Sequence, residues 1–83
     1  MNDLTQLPNI GKILAEDLLA AGIANAQTLK DMGAKNAFLA LKMDDPGACF
    51  NKLCALEGAV EGIRWHHLTP DKKAELKAFL DSL

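Results

Sequence analysis

The punctuation of this chain constrains its fold more than any other feature. Apolar residues recur at three- and four-residue spacing in short stretches, and each stretch is bounded by glycine, proline or a capping residue. Ile13, Leu14, Leu18 and Leu19 predict one face of a helix from about Gly11 to Ala21, with Gly22 where such a helix stops. Asn25 is placed to cap a short helix carrying Leu29 and Met32, which Gly33 ends. Ala34, Ala37, Phe38 and Leu41 fit another short helix. Asp44-Asp45-Pro46-Gly47 marks the next break, with Asp45 as cap and Pro46 as first helical residue. Cys49, Leu53, Leu56, Val60 and Ile63 then step by four, three, four and three, which predicts one buried stripe on a central helix. Thr69 caps the last helix, Pro70 opens it and Asp71 suits its positive end, while Leu76, Phe79, Leu80 and Leu83 form its apolar face. Tyrosine is absent, β-branched residues are sparse, and no segment alternates long enough to predict a strand. The expectation is an all-α fold, a compact single domain over residues 1–83 with roughly five short helices.

Composition narrows the function. Eighty-three residues suffice for one core, and 49% hydrophobic content is too high for a disordered chain. Nine Lys and Arg against eleven Asp and Glu give a net charge of −2, which excludes coating nucleic acid by bulk positive charge. Any nucleic-acid contact must come from a local patch or from backbone donors. The longest apolar run, Leu18 to Ala24, is far short of the roughly 20 residues that span a bilayer. No secretory signal is read at the start, and two cysteines cannot make a disulfide framework, so a cytoplasmic location is expected. A domain of this size buries only about 60–65% of its unfolded surface, so a large enclosed active site is not expected.

The stretch from Leu4 to Leu18 is the most informative. It resembles a helix-hairpin-helix motif: a short apolar helix, the tight loop Leu7-Pro8-Asn9-Ile10-Gly11, and a second helix beginning with Lys12. Gly11 is expected to permit the sharp turn and close approach of another backbone. The first turn of a helix leaves N–H groups unpaired and its dipole favours an anion, while Lys12 adds a cation beside those donors. Asn9, Ile10, Gly11 and Lys12 therefore make a candidate phosphate site built mostly of backbone. The commoner loop has glycine in place of Asn9, but asparagine tolerates positive φ. The alternative is an inter-helix turn with Ile10 plugging the core.

A second segment, Leu29 to Ala37, repeats the order of the first with a shorter loop, and Lys35 corresponds to Lys12. Two such hairpins would set two helix N-termini along one duplex backbone, with Lys30, Lys35 and Lys42 extending the patch. From Lys30 to Lys42 three lysines face one aspartate, whereas from Asp44 to Glu61 one lysine faces four acids. The alternative is chance likeness between two helix turns.

The remaining candidates favour structural roles. Cys49 and Cys54, five apart, point about 140° from each other on a helix. His66 and His67 are adjacent, whereas zinc-finger histidines lie about three to five residues apart. No metal or other cofactor is expected. Glu57 and Glu61 lie one turn apart, with Arg64 as an ordinary surface partner. Trp65 is expected to plug the core at the end of the central helix. Gly58 and Gly62 beside Ala55 and Ala59 predict that the first or last helix crosses close to that surface.

Leu7 to Lys12, Ala21-Gly22-Ile23, Leu29 through Lys35, Ala55 to Ala59, and Gly62 to His66 together resemble the C-terminal domain of the TfoX/Sxy proteins, over roughly Leu4 to Phe79. The resemblance implies a compact helical domain with a helix-hairpin-helix-like start and an association with competence for DNA uptake. Two-domain members carry a further N-terminal domain, so a chain starting at Met1 is expected to be a free-standing relative or a cut-out domain.

Two functions follow as expectations. The first is a non-catalytic module that holds DNA phosphates through Asn9, Ile10, Gly11, Lys12 and Lys35, with no membrane or metal partner. The second is a protein-interaction domain that binds a regulatory protein and no DNA. The first is preferred because the hairpin supplies a mechanism.

Overall fold

The computed structural model describes residues 3–44 and 49–83. Five α-helices make up these residues: α1 (Lys12–Ala20), α2 (Ala26–Met32), α3 (Ala34–Asp44), α4 (Phe50–Glu61) and α5 (Pro70–Asp81). Single 3₁₀ turns stand at Asp3–Gln6 and Trp65–His67, and no strand occurs among the described residues. The expected all-α fold is thus observed.

The local signals act where expected. The Asn25 side chain accepts from the Thr28 N–H at 2.8 Å, and Thr69 accepts from the Lys72 N–H at 3.1 Å ahead of Pro70. Each satisfies a donor that the first helical turn leaves unpaired. Gly22 ends α1 in the left-handed region at φ 88°, and the Ile23 N–H closes back onto the Leu18 carbonyl at 2.8 Å. Asp45 and Pro46, expected to open the central helix, lie outside the described residues.

The leading hairpin element is shorter than expected, a single 3₁₀ turn. Pro8 disfavours helical backbone at Leu7, which ends the turn at Gln6. Its Asp3 side chain accepts from the Ala26 N–H at 2.8 Å and so caps α2 from outside.

Leu4, Leu18, Ile23, Leu29, Phe38, Leu53, Leu56 and Leu76 are fully buried, and Ile10 plugs the same core at 5% exposure. Helix α4 packs against α3 and α5, and α1 and α2 lie against α3. Several apolar expectations fail, among them Leu83, which is exposed because α5 ends at Asp81. Ile13 is 71% exposed and Leu19 is 45% exposed, because a two-turn helix on a core buries a narrow arc, here Leu14, Ala15 and Leu18. Cys49 is exposed and sits outside α4 as its N-cap, in extended backbone, so the buried stripe begins at Leu53. Trp65 is 40% exposed, because α4 stops at Glu61 and the chain turns before reaching it. No helix among the described residues is long and apolar enough to cross a membrane.

Candidate nucleic-acid interface

The hairpin loop is built from two overlapping turns. The Leu7 N–H donates to the Leu4 carbonyl at 3.0 Å, and the Ile10 N–H donates to the Leu7 carbonyl at 3.4 Å. The reversal falls on Asn9, the one described non-glycine residue with positive φ, at 70°. Asparagine is among the few side chains that visit this region readily.

The Asn9 side chain turns into the body of the domain rather than over the loop. Its Nδ2 donates to the Ile63 carbonyl at 3.0 Å and to the Ala55 carbonyl at 3.4 Å, and its Oδ1 accepts from the Trp65 N–H at 3.0 Å. One amide thereby serves backbone groups just past the end of α4, groups that helical pairing cannot reach. The end itself is closed by Gly62 at φ 80° and by the Ile63 N–H donating to the Gly58 carbonyl at 2.9 Å.

Gly58 makes this seat. A Cβ there would crowd the Asn9 amide nitrogen and stand 2.7 Å from the Ile63 carbonyl oxygen and 3.2 Å from the Trp65 nitrogen. At Gly58 the small residues of α4 thus admit a loop side chain and a returning chain, while the last helix, α5, packs on α4 as well. Gly62 belongs to the helix end, not to its interior.

Beyond Asn9 the chain enters α1 with its first donors open. Gly11 is the N-cap and makes no side-chain cap bond; the first backbone bond into the helix runs from the Ala15 N–H to the Gly11 carbonyl at 3.0 Å. Among the described residues the N–H groups of Gly11, Lys12 and Ile13 have no hydrogen-bond partner, and all three residues are exposed. Gly11 itself is in extended backbone at φ −92° and ψ −175°, with nothing within 4 Å of a Cβ. The turn therefore does not require glycine at this position, contrary to expectation, because the reversal is made at Asn9.

Lys12 makes no ion pair among the described residues. Lys35 lies at the start of α3 and is engaged elsewhere. Its Nζ is 3.0 Å from a Glu75 carboxylate oxygen and 5.5 Å from the Phe79 ring centre, both on α5. Of the five predicted site residues, Asn9 to Lys12 share the loop, and Lys35 faces α5. Ile10 has its N–H bonded and its side chain in the core.

Sequence reasoning missed the turn on the other side of Asn9. Arg64, Trp65, His66 and His67 are all exposed. The Trp65 and His66 ring centres are 5.6 Å apart and those of His66 and His67 are 4.8 Å apart, both edge to face. Arg64 makes no ion pair among the described residues, so the expected Glu61 partner is absent. One turn from Glu61, the Glu57 carboxyl is pushed up to about 7 by burial, by hydrogen bonding to Glu61 and by that neighbour's charge, with Lys72 opposing. Burial likewise pushes the Cys54 thiol up, against the positive charge of Lys73. Such a thiol holds its proton and is a poor nucleophile or ligand. Among the described residues no three His, Cys, Asp or Glu side chains gather to hold a metal.

The comparison with protein families decides the relationship: the model described as the TfoX C-terminal domain matches residues 1–80. The chain belongs to this family. The TfoX domain is similar to a crystal structure of an uncharacterized protein from Listeria monocytogenes, triclinic form, at 54% identity and a TM-score of 0.93. That match covers 95% of this chain and 90% of the Listeria chain. A tetragonal form from the same organism, a protein of unknown function, matches at 54% identity and a TM-score of 0.92, over 94% and 96% of the two chains. No curated protein matches. In the TfoX domain, three segments that carry the family resemblance meet at one place. Asn9 from the loop bonds Ala55 of α4 and the backbone of Ile63 and Trp65 in the segment that follows it.

Proposed function

We propose that the domain is a regulatory module of the competence-associated TfoX family that grips the phosphate backbone of DNA without strong sequence preference. Family membership supports the regulatory part. The observation that carries the DNA part is the open first turn of α1: unpartnered N–H groups at Gly11 and Lys12, on exposed residues, beside a lysine with no ion pair among the described residues. A helix N-terminus with free donors and a cation stabilises a phosphate oxygen. Gly11 adds support, since the fold does not need a glycine there and a Cβ would only hinder something approaching from outside. Asn9 has its side chain tucked into the body of the domain, Ile10 holds the loop in the core, and Lys35, paired with Glu75 on α5, is left out of the contact.

An amide NMR titration with a short duplex at low and high salt tests this. Shifts concentrated at Asn9 to Lys12, with a Kd of about 10⁻⁴–10⁻⁶ M that weakens steeply with salt, are expected. Unmoved loop amides, or unchanged affinity in folded Lys12→Ala and Gly11→Ala variants, would remove it.

A protein-binding reading has one observation of its own. Ile13 and Leu19 on α1 and Leu39 and Met43 on α3 are exposed apolar side chains on two helices that touch. Light scattering across a concentration series, with Met43→Lys as control, would reveal self-association through them.

A further inference from the structure

Trp65 is the largest apolar side chain in the domain, and yet the fold leaves it 40% exposed. It is not on a loose segment. Asn9 bonds the backbone on both sides of Arg64, at Ile63 and at Trp65. The turn is closed by the His67 N–H on the Arg64 carbonyl at 2.9 Å and by the Leu68 N–H on the Trp65 carbonyl at 3.2 Å. Leu68 then anchors its far end in the core at 4% exposure. Three exposed rings and one guanidinium are thus held on a short, braced turn. The brace is the same residue that forms the proposed phosphate loop.

These residue types in this order have a chemical meaning. Aromatic rings stack on nucleobases, which all have π-faces, and a guanidinium both stacks and pairs with phosphate. In paired DNA the faces of the bases are stacked on one another, so a ring platform is useful only where a base is unstacked. Charge agrees: Arg64 and Lys12 have no acidic partner among the described residues.

We infer that Arg64, Trp65 and His66 form a seat for an unpaired nucleotide beside the phosphate held by the loop, so that the substrate class is single-stranded DNA or a duplex end rather than closed duplex. The inference rests on the phosphate-loop reading and adds base stacking to it.

Trp65 is the only tryptophan, so its fluorescence reports this seat directly. The probes are a short oligothymidylate and a dumbbell duplex closed by a loop at each end, of similar charge, with affinity in the variants read from the anisotropy of labelled probes. Oligothymidylate is expected to quench Trp65 and to bind more tightly than the duplex. Trp65→Ala and Arg64→Gln should each weaken single-strand binding about ten-fold, with Trp65→Phe retaining most of it. Duplex affinity should change less than two-fold in Trp65→Ala. His66→Ala, at a fully surface position, gives a smaller loss and serves if Trp65→Ala does not fold. Loop amides that shift with duplex while oligothymidylate leaves Trp65 unquenched would overturn this inference and leave the phosphate loop standing. Failure of both probes to bind would overturn the two together.

Discussion

The two helix-turn-helix junctions of this domain use similar residues in opposite ways. In the first, a five-residue loop reverses at Asn9, and Gly11 and Lys12 lie outside with free donors and an unpaired cation among the described residues. In the second, one residue, Gly33, makes the whole connection at φ 83° and ψ 160°. Ala34 follows directly into the core at 3% exposure, and Lys35 is bound to Glu75 and Phe79. Loop length decides the difference. Five residues allow one side chain to fold inward as a brace while the next backbone groups stay in solvent; one residue commits the following turn to packing. A lysine after a glycine is thus a surface cation in one place and a seam between helices in the other.

The largest effect is expected at the brace. Asn9→Ala removes three hydrogen bonds and places a poorly tolerated residue at positive φ, for a loss of about 2–4 kcal/mol in urea or thermal unfolding. Asn9→Gly should lose less, because glycine accepts the backbone angle and forfeits only the bonds. Equal losses would mean that the angle, not the bonding, costs nothing.

The glycines should separate next. Gly33→Ala forces a side chain into backbone that is almost exclusively glycine's and should cost about 1–3 kcal/mol. Gly11→Ala meets no atom and needs no special angle, but alanine is the poorer N-cap, so stability should change by less than about 1 kcal/mol while DNA binding falls. Matching losses at the two sites would erase the contrast between the junctions.

The charged residues come last. Lys35→Ala should cost about 0.2–1 kcal/mol, since its pair with Glu75 is largely in solvent, and leave the amides of Asn9 to Lys12 unshifted. Weakened DNA binding in that variant would restore Lys35 to the proposed contact surface. Glu57 adds a pH signature. Its carboxyl is held at about 7 in the folded domain, above an unfolded value of about 4.3, so between those values the folded state binds more protons. Stability from this group is therefore present below that window and lost as pH rises through it. Thermal melts should fall across the window, and Glu57→Gln should flatten the fall.

Much of the fold was legible because its signals are local. Asn25, Thr69, Gly22 and Gly33 act within a turn of their own position, and the expected caps and stops stand there. Burial was less legible. On a helix turning about 100° per residue, Leu14, Leu18 and Ala15 span one arc, while Ile13 and Leu19 fall on either side of it. Spacing alone does not say which arc meets the core. Cys49 and Trp65 differ for a related reason: spacing carries the stripe from Cys49 to Ile63, past both ends of a helix that runs only from Phe50 to Glu61, and sets Trp65 against an end that the helix does not reach. The candidate loop was visible in Leu7 to Lys12, but the Asn9 brace was not, since its partners lie 46 to 56 positions away. Its one trace was Gly58, a glycine inside a helix with no local reason to be there.

That separation has a consequence for assembly. The reversal at Asn9 gains its supports only when the chain near Trp65 has returned beside it. During synthesis the loop at Asn9 must therefore wait, unfinished, until the segment at Trp65, 56 positions later, has been made. A version cut short after Glu61 would retain every residue of the loop and lack the scaffold that gives it shape.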